Sequence, residues 1–162
     1  MDQANKVENP ELSLFLPVLD EEENLRPMHA KIAAALDALG KTAEVIYVDD
    51  GSTDKSLEIL KEIAVSDDRV RVISLRRNYG QTAAMSAGID AVKGDILIPM
   101  DADLQNDPAD VKRLRDKLDA GYAVCSGWRT NRQAQAISRN IHSPLSTRII
   151  SLYRAAPRTD PH

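Results

Sequence analysis

DILIPMDADLQNDP, Asp95 to Pro108, is the stretch on which the fold of this chain turns. A short apolar run, Ile96 to Met100, passes directly into two aspartates separated by one alanine. Such a run reads as a buried strand. Asp107 then reads as a cap and Pro108 as the first position of a helix. A buried strand that ends in carboxylates and leads into a helix is a strand–helix unit with its chemistry at the carboxyl end of the strand.

The same arrangement repeats outward from there. Apolar, β-rich runs occupy residues 12–18 (LSLFLPV), 43–50 (AEVIYVDD), 69–75 (RVRVISL), 95–101 (DILIPMD) and 122–128 (YAVCSGW). Amphipathic segments lie between them. Leu25, Met28, Ile32, Leu36 and Leu39 keep helical spacing, as do Leu57, Leu60 and Ala64, then Met85, Ile89 and Val92, then Val111, Leu114 and Leu118. Asp54 is placed to cap the second helix, and Gly40, Gly94 and Gly121 each follow a helix, where a left-handed C-cap is usual. Strand and helix in alternation predict an α/β fold, a mostly parallel Rossmann-like sheet with helices on both faces. After Trp128 the pattern changes. Ile137, Ile141, Leu145, Ile149 and Leu152 form an apolar stripe on an arginine-bearing background, predicting C-terminal amphipathic helices broken at Ser143–Pro144.

The totals set the class. At 162 residues the chain can build one domain with a core. A single cysteine, Cys125, excludes an internal disulfide and fits a reducing compartment. No apolar run reaches the ~20 residues of a membrane span, and the polar start is not a signal peptide. A cytoplasmic location is therefore expected. From Arg129 onward there are six arginines, no lysine and one acid, a balance of +5 against −9 for the rest of a chain whose total is −4. That basic end is suited to phosphates or to an anionic membrane surface. Nucleic acid is not an expected partner.

In an open parallel sheet, ligands bind beyond the carboxyl ends of the strands. Those ends read Pro17 followed by DEEEN, then Asp49-Asp50-Gly51-Ser52, then Arg76-Arg77-Asn78, then Asp101-Ala102-Asp103-Leu104-Gln105. If the chain stays extended past the fourth strand, Asp101 and Asp103 point the same way, ~7 Å apart. Paired carboxylates suit a hard divalent cation, Mg²⁺ or Mn²⁺, that keeps positions open for phosphates. Asp49 or Asp50 is placed to accept hydrogen bonds from a base or ribose. Arg76 and Arg77 suit phosphates. Gly80, Ala83, Ala84, Ala87 and Gly88 give the third helix a small-residue face, which suits close packing on the sheet.

Five segments in this order resemble the family 2 glycosyltransferases of GT-A fold, and among them the polyprenyl-phosphate sugar transferases of the dolichol-phosphate mannosyltransferase kind. They are Leu16–Leu25 (LPVLDEEENL), Val45–Ser56 (VIYVDDGSTDKS), Leu75–Ile89 (LRRNYGQTAAMSAGI), Gly94–Pro108 (GDILIPMDADLQNDP) and Ser126–Arg132 (SGWRTNR). The resemblance implies an inverting, metal-dependent transferase that moves a sugar from a UDP- or GDP-linked donor to a polyprenyl phosphate or another lipid or glycan acceptor. It implies that Pro17, Val18, Glu22, Asp49, Asp50, Gly80, Gln81, Asp101 and Ala102 bind the donor. Asp101, Asp103 and Gln105 would hold Mg²⁺ or Mn²⁺, and Asp103 and Arg129 would be catalytic. Asp20 stands where the usual pattern, YNEEEN, has Asn. The resemblance divides the chain into a nucleotide-sugar-binding domain at 11–128, an arginine-bearing helical segment at 129–154 that contacts the acceptor or the membrane interface, and an irregular tail at 155–162. It also implies a further acceptor-side stretch that this sequence does not carry, so a truncated product is expected.

Other classes fit less well. A catalytically incomplete donor-binding module predicts nucleotide binding without transfer. A hydrolase of the aspartyl-phosphate type shares a strand followed by DxD, but it expects Thr or Val where Gln105 stands. No GxGxxG follows the first strand, against a dinucleotide oxidoreductase, and no P-loop lysine motif is present.

Overall fold

The computed structural model describes residues 9–104, 106–126 and 151–154. Arg129, Gln105 and the expected helical stripe from Ile137 to Ile149 lie outside the described residues. Ten elements follow in order: β1 Leu12–Val18, α1 Leu25–Leu39, β2 Ala43–Asp49, α2 Ser56–Ser66, β3 Val70–Ser74, α3 Gln81–Ala91, β4 Ile96–Pro99, α4 Asp110–Asp119, β5 Val124–Ser126 and β6 Ser151–Arg154. The sheet order is β3-β2-β1-β4-β6-β5. The first four strands are parallel, and β6 runs antiparallel to both β4 and β5. All five strands read from the sequence are present. The expected helix end at Leu152 is not: Leu152 sits in β6. Backbone pairing of Leu97 with Tyr153 satisfies the open edge of β4, and that outweighs a local stripe.

Helices cover both faces, and the strands show why. Along β1, Leu12, Leu14, Leu16 and Val18 point to one side, where Met28, Ile32 and Leu36 of α1, Leu60 and Ile63 of α2 and Val111 and Leu118 of α4 join them. Phe15 points to the other side with Ile46 and Val48 of β2, against Ala84 of α3. α3 reaches the sheet closely because its inward face is small. A methyl at Gly88 would stand 2.4 Å from Cδ2 of Phe15, whose ring is fully buried. The inward face is thus Ala84 and Gly88, while Ile89, expected on the apolar stripe, is exposed.

Gly40 and Gly121 take positive φ after α1 and α4, as expected of C-caps. Gly94 does not, and its reason is proximity: a Cβ there would lie 2.8 Å from the carbonyl carbon of Leu12. It sits in a polar knot at the amino ends of the strands. The Gly94 N–H donates to Ser13 Oγ at 2.8 Å, and Ser13 Oγ donates to Glu44 Oε1 at 2.6 Å. Glu44, almost wholly buried, also accepts from Arg71 at 2.8 Å and from the Lys93 N–H at 2.7 Å. Among the described residues, no helix is long and apolar enough to cross a membrane.

A second polar group ties α1 to the sheet. His29 Nδ1 lies 3.2 Å from the Tyr47 hydroxyl, and Nε2 lies 3.4 Å from Asp67 Oδ2. Asp67 also holds Arg69 at 2.7 Å. Burial pushes the Tyr47 phenol up. Burial likewise disfavours the imidazolium and lowers the His29 pKa below the ordinary 6.5, although Asp67 pulls the other way.

Two outcomes follow. Gly88→Ala forces the buried Phe15 ring to move and is expected to cost about 1–3 kcal/mol, read as a fall in Tm. Phe15→Leu in the same chain should restore part of it, since the two positions touch. For His29, the folded state binds the proton more weakly than the unfolded chain. The stability it contributes is present above pH 6.5 and is lost as pH falls through the folded pKa. Melts at falling pH should therefore show a larger loss in wild type than in His29→Gln.

Candidate functional site

Strand order reverses between β1 and β4, so the crevice beyond their carboxyl ends is the natural ligand position of this sheet. Pro99, with no N–H to give, ends β4, and one further bond, from the Met100 N–H to the Phe15 carbonyl at 3.0 Å, carries the ladder past it. Phe15 pairs with Pro99, so extending the register by two residues sets Asp101 level with Pro17. Pro17 is half-buried and Val18 is buried. Val18 in turn pairs with Asp49, and its carbonyl accepts the Asp50 N–H at 2.8 Å. The ends of β1, β2 and β4 thus gather Pro17, Val18, Asp49, Asp50 and Asp101 on one rim.

Asp49, the last residue of β2, and Asp50 just beyond it are buried, at 1% and 3% exposure, so their oxygens must be satisfied inside the protein. Asp50 receives the Tyr79 and Gly80 N–H groups, one on each oxygen, at 2.8 Å. Asp49 accepts the Ser52 N–H and the Ser74 hydroxyl, each at 3.3 Å. Asp50 therefore fixes the loop before α3. Gly80 caps that helix with φ 94, and Gln81 is its first, exposed residue. Arg76 and Arg77 are exposed, and the Arg77 guanidinium lies 4.9 Å from the centre of the Tyr79 ring. Gly51 lets the two loops meet: its φ is +73, and a Cβ would stand 2.4 Å from the Arg77 carbonyl carbon.

The fourth strand end departs from expectation. Residues 102–104 form a bend, with Leu104 at φ 59, so the DxD segment is not an extended strand. The methyl of Ala102 is buried in the main core, between the half-buried Asp101 and Asp103. Ile98, Met100 and Ala102 alternate into that core, so the strand's burial pattern runs on to the point where the bend begins. Among the described residues, no three His, Cys, Asp or Glu gather closely enough to hold a metal ion.

The acidic run after β1 also engages the loop after β2. Glu22 is exposed; it accepts the Lys55 N–H at 2.9 Å, and its own N–H donates to Asp54 at 3.1 Å. Burial would raise the Asp54 carboxyl, but hydrogen bonds from Ser56 and the Glu22 amide outweigh it and hold it below the ordinary 3.8. Residues 20–24 and Asp54 line an open acidic hollow beside the rim. The sequence reading missed this seam between the first two loops. Its signal was present in the pairing of DEEEN with GSTDKS, two segments rich in helix-capping side chains at adjacent strand ends.

The comparisons agree with this architecture. The family model described as glycosyl transferase family 2 matches residues 13–160. An undecaprenyl-phosphate 4-deoxy-4-formamido-L-arabinose transferase of Edwardsiella ictaluri is 44% identical over 123 residues, covering 75% of this chain but 38% of that protein. The glucosyl-3-phosphoglycerate synthase of Mycobacterium tuberculosis, solved with UDP, superposes with a TM-score of 0.54 at 28% identity, over 70% of this chain and 42% of that one. The mannosyltransferase PcManGT of Pyrobaculum calidifontis, solved with GDP-mannose and Mn²⁺, has a TM-score of 0.51 at 20% identity, over 59% and 28%. With a strand order that places its acidic rim at the switch point, and a family match over residues 13–160, the chain belongs to the family 2 glycosyltransferases and has a GT-A fold.

Proposed function

We propose that the rim binds the nucleoside diphosphate of a UDP- or GDP-linked sugar, and that the sugar passes with inversion to a polyprenyl phosphate. The observation that carries the reading is the gathering of Asp49, Asp50 and Asp101 at the ends of β2 and β4, on either side of Pro17 and Val18. A sheet gains no stability from carboxylates crowded on one edge. Supporting the donor class are the relatives, one solved with UDP and one with GDP-mannose; supporting the acceptor is the undecaprenyl-phosphate transferase.

Asp101 and Asp103, with Gln105, are the residues that would hold Mg²⁺ or Mn²⁺. The donor set fits. Magnesium is ordinarily held by one or two carboxylates plus substrate phosphates rather than by a complete protein cage, and Asp101 and Asp103 are half-buried carboxylates just beyond β4. A divalent cation bound there supplies neutralisation of the charge that builds on the departing diphosphate. The chain's own residues do the rest. One of Asp49 and Asp50 would accept a hydrogen bond from the nucleoside on a lone pair that its protein donors leave, and Gly80 and Gln81 bring the amino end of α3 alongside it. Arg129 is assigned to the phosphates on the acceptor side. A phosphate acceptor is already an anion and needs little help from a base, so positioning and charge stabilisation carry most of the rate. The basic segment after Arg129 is suited to an anionic membrane surface that presents the lipid phosphate.

The expected outcome is that UDP or GDP binds with Mn²⁺ present, measured by calorimetry, and binds at least about tenfold more weakly without it. Asp103→Ala should abolish the metal-dependent part of the affinity. Equal affinity of that variant and wild type in Mn²⁺ would sink the metal assignment. Donor binding with no transfer to any polyprenyl phosphate would leave a binding module and remove the transferase reading of this chain.

A further inference from the structure

Asp20 has no part in the site as drawn above, yet it is tied to it more closely than its exposure suggests. It lies two residues past β1 at φ 52, a left-handed conformation that Asn and Asp adopt more readily than other residues with a side chain. Its Oδ1 accepts the Thr53 N–H at 2.7 Å, the Thr53 hydroxyl at 3.3 Å and the Asp54 N–H at 3.4 Å. Its own N–H donates to Ser52 Oγ at 3.0 Å. The neighbours extend the seam, since the Glu21 N–H donates to Ser56 Oγ at 2.9 Å and the Glu22 amide and carboxylate engage Asp54 and Lys55. The path then reaches the rim, because the Ser52 N–H donates to the buried Asp49 carboxylate.

We propose that Asp20 is a positioning residue of the donor site: its left-handed backbone and its single acceptor oxygen lock the 51–54 loop and, through Ser52, set the Asp49 carboxylate. The effect on the donor rests on the functional reading above, whereas the lock itself does not. The side chain is exposed, so core packing does not account for it. The donors it meets are neutral amides and a hydroxyl, so the role requires an acceptor and not a charge. Asn supplies that acceptor through its own Oδ1 and adopts the same backbone. Gly keeps the backbone and removes the acceptor. Ala removes the acceptor and adds strain at φ 52.

The test compares Asp20→Asn, Asp20→Gly and Asp20→Ala in the full chain. It measures amide exchange over residues 51–56, titration with UDP and GDP in Mn²⁺, and Tm. Asp20→Asn should match wild type in all three. Asp20→Gly should keep its Tm, exchange the Thr53 and Asp54 amides roughly tenfold faster and bind nucleotide roughly tenfold more weakly. Asp20→Ala should share those losses and melt lower. Wild-type exchange in Asp20→Gly would overturn the lock, and faster exchange with unchanged affinity would overturn the positioning role. An Asp20→Asn variant as impaired as Asp20→Gly would overturn the acceptor argument in favour of charge. A wild-type chain that bound neither nucleotide would overturn the functional reading and the role in donor binding, with the exchange comparison still deciding the lock.

Discussion

A carboxylate withdrawn from water is stable only where donors replace its hydration, and Asp50 is such a carboxylate. It directly follows the most deeply buried strand of the sheet, and the donors that meet it are two backbone N–H groups from a different loop. Amides in that position require residues 75–80 to fold back over the tip of β2. The Leu75 N–H donates to the Asp49 carbonyl at 2.8 Å as the loop begins its return. Gly51 must then be a glycine twice over, for its φ and for the Arg77 backbone lying against it.

The constraint propagates into α3. Gly80, held by Asp50, is where that helix starts, so the distance from strand to helix is fixed at one end by a hydrogen bond. It is fixed in the middle by the small face of Ala84 and Gly88 against Phe15. A larger residue at position 88 would lift the helix from the sheet, and the lift would be felt at Gly80, where the family resemblance places the nucleotide. Packing chemistry and site geometry are therefore one requirement on α3, which explains why its sequence is poor in large apolar side chains.

Much of this was legible in the sequence. Apolar, β-rich runs and helical spacing located four parallel strands, the fifth run and all four described helices, because both patterns report burial and the core here is built from those faces. The rim was legible because carboxylates after buried strands have no packing role. What escaped was set by pairing between distant segments. Nothing local reveals that Ser151–Arg154 completes the edge of β4, or that Gly94 is a glycine because Leu12 passes close by. The bend at 102–104 escaped as well, because the alternation of Ile98, Met100 and Ala102 into the core reads as a continuing strand. Asp20 stood out only as a departure from the family pattern, and its hydrogen bonds to residues 52–54 are set by the position of the neighbouring loop.

The two ends of β2 offer a contrast that bears on function. Glu44, at the amino end, is buried with a guanidinium at 2.8 Å, so its charge is neutralised where it sits. Asp49 and Asp50, at the carboxyl end, are as deeply buried but form no ion pair with Lys, Arg or His among the described residues; amides and hydroxyls stabilise them without cancelling their charge. A fold selected for stability alone would treat the two ends alike, because a buried charge with no countercharge costs more than a paired one. The negative field is left standing at the end where strand order opens a crevice, and cancelled at the end where it does not. Such an asymmetry is what a site for a cation-bearing or donor-rich ligand requires, and local departures from the stablest arrangement are where function is to be sought.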